Sequence, residues 1–130
     1  AGIKNKGYTF AEKIKTCLEE ISDIKIKLVS LKLDKKNPLN GIEASITVSE
    51  YKNESVIIVD DVLNSGSTLT YAVNFFLDQQ VKKIQTAVLV DRSHKKYPIK
   101  ADFVGLSLST SLSETVKVNF DKPYTAYLME

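Results

Sequence analysis

A chain of 130 residues, 43% hydrophobic and 26% charged, is long enough for one core and too short for two, and it is not a disordered composition. Eighteen lysines and arginines against sixteen acids leave a net charge of +2, which excludes the bulk positive field of a dedicated nucleic-acid binder. Cys17 is alone, no signal-peptide pattern opens the chain and no apolar run could cross a bilayer, so the sequence predicts a cytoplasmic protein with no disulfide and no membrane contact.

The first residues, Ala1–Gly7 (AGIKNKG), form a glycine-flanked loop carrying Lys4, Asn5 and Lys6. Phe10, Ala11, Ile14, Leu18 and Ile21 then recur at helical spacing, with Cys17 expected on the same buried face. Ile24–Leu28 alternates apolar and polar residues, the pattern of a half-exposed strand. Asp34–Gly41, with Pro38 and Gly41, predicts a mobile loop, Ala44–Val48 a short strand and Glu50–Glu54 a turn. Val56–Val59 is a β-branched run suited to a central strand covered on both faces. A loop over Asp60–Ser67 leads to an amphipathic helix over Thr68–Gln79, with Leu69, Ala72, Val73, Phe76 and Leu77 on one side. Ile84–Val90 and Phe103–Leu106 predict two more strands, and Val116–Phe120 and Tyr124–Met129 closing strands. Strand and helix alternate as they do in a mostly parallel α/β sheet flanked by helices, here a single domain over residues 1–130.

The most informative stretch is Val56–Thr68 (VIIVDDVLNSGST). A buried strand ends in two acids, and a small-hydroxyl loop then opens a helix. In a parallel sheet this loop lies at the carboxyl edge, where ligands bind. Ser65, Gly66, Ser67 and Thr68 offer backbone N–H groups and hydroxyls to a phosphate at the positive end of the helix. Asp60 and Asp61 repel phosphate and call for another partner, such as sugar hydroxyls or a divalent cation. A simple helix cap accounts for Ser67 or Thr68 but leaves the paired acids without a purpose.

This segment resembles the PRPP (5-phosphoribosyl-1-diphosphate) signature of the type I phosphoribosyltransferases, with Ser65 where threonine is usual. The resemblance implies that Asp60 and Asp61 are the catalytic acids, binding the ribose 2′- and 3′-hydroxyls, and that Asn64, Ser65, Gly66, Ser67 and Thr68 hold the 5′-phosphate. Gly2–Gly7 (GIKNKG) is similar to the family's pyrophosphate loop, which gives Lys4, Asn5 and Lys6 to the diphosphate. Mg²⁺ is the implied cofactor, carried by PRPP and held in part by Asp60 and Asp61. Ala87–His94, Pro98–Gly105 and Thr110–Val116 resemble the hood of the uracil-using, pyrimidine-operon regulators within that family, which implies Asp91, Arg92, Phe103 and Val104 at the base.

Asn64 stands where the 6-oxopurine enzymes usually carry an aspartate able to exchange a proton with the ring. It cannot do acid–base work, which favours a pyrimidine. The implied reaction is uracil plus PRPP giving UMP and pyrophosphate, or the sensing of uridine nucleotides in the same pocket. A purine salvage enzyme and an RNA-binding regulator with little catalysis are the alternatives. The lone arginine and the +2 charge weigh against RNA as a partner, and the relatives imply a homodimer. His94, although the only histidine, is expected to be a loop residue, because the transfer depends on positioning and charge stabilisation more than on a general base.

Two departures from the family carry expectations of their own. The chain opens at the pyrophosphate loop, so the leading helix and most of the first core strand are expected to be missing, with exposed sheet edges as the result. The mobile loop of the relatives carries an arginine followed by two acids. Here the segment reads Leu31–Lys36 (LKLDKK), with Leu33 the closest positional match and Lys32, Lys35 or Lys36 the substitute cation. Slow turnover is the expectation.

Overall fold

Strand β4, residues Ser55–Leu63, organises the computed structural model, which describes residues 1–130. Its β-branched first half buries Ile58 and Val59 and pairs in parallel with β5 (Lys83–Asp91) from Ser55↔Lys83 to Leu63↔Asp91. Strand β6 (Phe103–Ser107) adds in parallel to β5. On the other side lies β1 (Gly2–Ile3), then β2 (Ser30–Leu33), both parallel to β4, and β3 (Ile42–Ala44) antiparallel at the edge. The sheet order is therefore β3-β2-β1-β4-β5-β6. Alternate residues of β4 point to opposite faces. Ala11 of helix α1 (Lys6–Ile21) packs on Val59 and Ala87, whereas Leu69, Ala72 and Phe76 of helix α3 (Ser67–Phe76) pack with Ile58 and Val88. This is the type I phosphoribosyltransferase fold, a mostly parallel sheet with helices against it.

Several elements differ from the sequence pattern, each for a physical reason. Ile24–Leu28 is not a strand: on that side β1 pairs from Val29 onward, whose carbonyl accepts from Gly2 N at 2.8 Å. The strand expected at Ala44–Val48 is displaced to Ile42–Ala44, and Thr47 instead forms a capping box with Glu50 that starts α2 (Val48–Tyr51) where a turn was expected. Strand β4 runs on through Asp60 and Asp61 to Leu63, because β5 continues beside it to Asp91. The second helix stops at Phe76, short of Gln79. Cys17 is exposed, since only Gly7 and Ala11 of α1 are fully covered. The last two strands, β7 (Thr115–Asn119) and β8 (Thr125–Met129), do not close the sheet but form a separate antiparallel hairpin.

That hairpin, here called the hood, shares only Thr115 and Val116 with the segments in which the resemblance placed a hood, Ala87–His94, Pro98–Gly105 and Thr110–Val116. Val118 is buried with Val62 and Val90 at the carboxyl ends of β4 and β5, and Phe120 stacks on Phe10 of α1 with ring centroids 5.9 Å apart. At the opposite end of the sheet, an apolar slot of about 570 Å³ separates the 24–29 segment from the first half of β4, lined by Leu18, Ile24, Val29, Tyr51, Ile57 and Phe76.

Candidate active site

Asp60 directly follows the middle residue of a nine-residue strand yet carries a carboxylate, and it is only 2% exposed. Burial, opposed by Lys35 and reinforced by the neighbouring charge of Asp61, pushes its pKa from the usual carboxylate range up to about 7. Its Oδ1 accepts from Asp61 N at 2.9 Å, and its Oδ2 lies 3.7 Å from Lys35 Nζ. Asp61 is half-buried. No cluster of three His, Cys, Asp or Glu side chains exists to cage a metal. Asp60, buried and with an oxygen met only by a distant lysine, fits a hard cation that takes its other oxygens from a bound diphosphate.

The loop above them is shaped by Gly66, whose φ of 86° is left-handed and where a Cβ would lie 2.6 Å from Ile99 Cγ2. The carbonyl of Ser65 accepts from both Lys96 N at 2.7 Å and Tyr97 N at 3.1 Å, which fixes the loop from behind. Ser65 Oγ accepts from Ser67 N at 3.2 Å, and Gly66 O accepts from Thr70 N and Oγ1. Helix α3 has no acid in its first turn, and with Ser67 N and Thr70 N engaged inside the loop it is the N–H groups of Thr68 and Leu69 that are left for an anion. Asn64 is exposed at the start of this loop, and a 50 Å³ cleft lined by Lys35, Asp60, Asn64, Ser65, Gly66 and Thr68 joins Asp60 to it.

Lys4, Asn5 and Lys6 are exposed between β1 and α1, and the Lys4–Asn5 peptide is cis. What brings them to the acids is Gly7. A Cβ there would lie 2.8 Å from Val59 O and 3.0 Å from Asp60 Oδ1, so only glycine lets the first turn of α1 rest against β4. Lys6 also lines a 370 Å³ cleft under the hood with Thr9, Lys117, Asn119, Asp121 and Tyr127. Phe103 and Val104 are surface residues of the edge strand, paired with Ala87 and Val88. The register sets Val104 level with Asp60, while Leu106 and Ser107 stand nearer the height of the phosphate loop. Asp91 accepts from Ser93 N at 2.9 Å and meets Lys95 at 3.4 Å. Arg92, expected at the base, is buried and turned toward the protein's own hood turn. His94 Nε2 bonds the carbonyl of Thr110, which can only accept, so that nitrogen carries its proton and the ring anchors a loop.

Sequence reasoning left Lys35 as one of three possible loop cations, and only the ion pair with Asp60 singles it out. It did not find Lys117, Asn119 or Tyr127, which no local pattern marks and which the hairpin brings to Lys6. Leu33, the positional match to the relatives' arginine, is a strand residue packed on the main core and lies before the loop.

An acid pair in a buried parallel strand, an anion cradle directly after it and a basic loop stand at one edge of the sheet, and the chain belongs to the phosphoribosyl transferase domain family, whose model matches residues 1–124. Among named relatives, it is 35% identical over 127 residues to the Bifunctional protein PyrR of Limosilactobacillus fermentum, covering 90% of this chain and 71% of that protein. It is 36% identical over 126 residues to the protein of the same name from Clostridium acetobutylicum, covering 91% and 71%. In fold it is similar to the hypoxanthine phosphoribosyltransferase of Trypanosoma cruzi (TM-score 0.71, 16% identity, 95% of this chain and 68% of that one). A hypoxanthine phosphoribosyltransferase from Staphylococcus aureus gives a TM-score of 0.66 at 20% identity, over 85% of this chain and 61% of that one.

Proposed function

We propose that this chain transfers the phosphoribosyl group of PRPP to uracil, giving UMP and pyrophosphate with Mg²⁺, and that it binds uridine nucleotides in the same site. The observation that carries the reading is the buried Asp60 set beside a glycine-shaped, acid-free helix N-terminus, since a phosphate joined to a diol needs both. In this reading Asn64–Thr68 hold the 5′-phosphate, and Asp60 and Asp61 accept from the ribose hydroxyls and share the cation. Lys4, Asn5 and Lys6 hold the diphosphate, with Lys35 closing over it. Asp91, Phe103 and Val104 form the base side.

Mg²⁺, when bound, offsets charge on the departing diphosphate. The chain's own part is positioning: the phosphate loop and the acids fix the ribose at both ends, so that C1 faces the attacking uracil nitrogen as its bond to diphosphate lengthens. The lysines meet the negative charge that grows on the leaving oxygens. Asn64 supports a pyrimidine because it cannot exchange a proton with a purine ring. The relatives at 35–36% identity are named bifunctional, which supports a regulatory role beside the enzymatic one. RNA contact in that role would fall to lysines, because the one arginine is buried. Pyrophosphate release with PRPP is expected to be faster with uracil than with hypoxanthine, guanine or adenine. A purine preference in the same assay overturns the pyrimidine assignment.

A further inference from the structure

Arg92 is 8% exposed, and its guanidinium meets no carboxylate. Nε donates to Thr110 Oγ1 at 2.9 Å, Nη1 to Asn64 Oδ1 at 3.1 Å, and Nη2 to the carbonyls of Ser111 (3.1 Å) and Glu114. The acids nearby are engaged elsewhere: Asp91 with Ser93 N and Lys95, Glu114 Oε2 with Ser111 N at 2.6 Å. One arm of the side chain therefore rests on the first residue of the phosphate loop. The other arms rest on the 110–114 turn, from which β7 leads into the hood. The backbone repeats the link, with Arg92 N donating to Leu63 O at 3.3 Å and Leu108 N to Asp91 O at 2.9 Å.

The geometry points to Arg92 as a positioning residue that couples the phosphate loop to the hood turn, so that an anion bound at Asn64–Thr68 sets the 110–114 turn over the base side. This rests on the phosphoribosyl reading of that loop. A buried cation balanced only by neutral acceptors is expensive to hold. A phosphate arriving next to Asn64 supplies the absent counter-charge, strengthens the Nη1 bond and tightens every contact the same rigid plane makes. The planar fork is what allows one side chain to reach Asn64, Thr110 and Ser111 together; a lysine has the charge but a single point of contact.

The test compares the wild-type chain with Arg92→Lys and with the milder Thr110→Val, which removes the Nε acceptor and leaves the phosphate loop intact. Affinities for ribose 5-phosphate and for UMP are measured by calorimetry, and amide exchange is followed over residues 108–116 with and without ribose 5-phosphate. In the wild type, ribose 5-phosphate is expected to slow exchange over 108–116. In both variants that remote protection should disappear, with UMP affinity falling about tenfold or more and ribose 5-phosphate affinity less than about threefold. Equal losses for the two ligands, or remote protection that survives in Arg92→Lys, overturn the coupling and leave Arg92 as ordinary packing. A wild type that binds neither ligand takes the phosphoribosyl reading down with it, whereas failure of the coupling alone leaves that reading standing.

Discussion

Asp60 shows at the scale of a single residue how function and stability oppose one another. With its pKa raised to about 7 by burial, the folded chain keeps a proton between about pH 4 and 7 that the unfolded chain has released, so stability falls as pH rises through that window. Asp60→Asn should flatten this trend, with wild type losing more melting temperature than the variant between pH 5 and pH 8; parallel curves would show that the buried carboxyl is not the cause. The same group must ionise to serve a cation, so Mg²⁺–PRPP affinity should rise with pH across neutrality. Replacing both Asp60 and Asp61 with asparagine should weaken that affinity about tenfold or more, about 1.4 kcal/mol, by calorimetry; unchanged affinity removes the ribose assignment. The pairing of these acids was legible in the sequence because it is local. Their place was not, since the sequence puts them in a loop and only the partner strand β5 shows that β4 continues to Leu63. The partners of Arg92 were hidden for the same reason: Thr110, Ser111 and Glu114 lie about twenty residues away, and no local pattern announces them.

Elements carry the next level of constraint, and the turn at Gly66 is the sharpest. Gly66→Ala places a Cβ against Ile99 in a left-handed backbone, which should cost about 1–2 kcal/mol from conformation alone and more from the clash. Denaturant midpoints measure it, and a neutral result would mean the loop relaxes without loss. The β2–β3 loop is the other element with a decisive residue. Lys35 already reaches Asp60, so it is the position at which a guanidinium can be restored. Lys35→Arg is expected to raise turnover while PRPP affinity stays within about threefold, and Lys35→Met to lower turnover, because two oxygens of a departing diphosphate suit a fork better than a point charge. Unchanged turnover in both variants would exclude Lys35 from the chemistry. Helix α1 was readable from its period and β4, β5 and β6 from their apolar runs, whereas β1 and β2, two and four residues long, carry no pattern that marks them. The 24–28 segment was not, because alternation describes which residues would face in and out and cannot say whether a partner edge exists.

For the whole molecule, the hood is the part most dependent on its docking, because a two-stranded hairpin is marginal by itself. It is held by Val118 against Val62 and Val90 and by the stack of Phe120 on Phe10. Val118→Ala with Phe120→Ala should therefore free β7 and β8, seen as fast amide exchange over residues 115–129, while β4 and β5 remain protected. Slowed exchange throughout, as in wild type, would mean the hairpin stands alone. The last consequence concerns the β2–β3 loop. Edge strand β3 is three residues long and pairs only with β2, through Leu31↔Ala44, Lys32↔Glu43 and Leu33↔Ile42. Elements fastened at a sheet margin open at lower free energy than central strands, so the lysine that guards Asp60 is mounted where the sheet yields most readily.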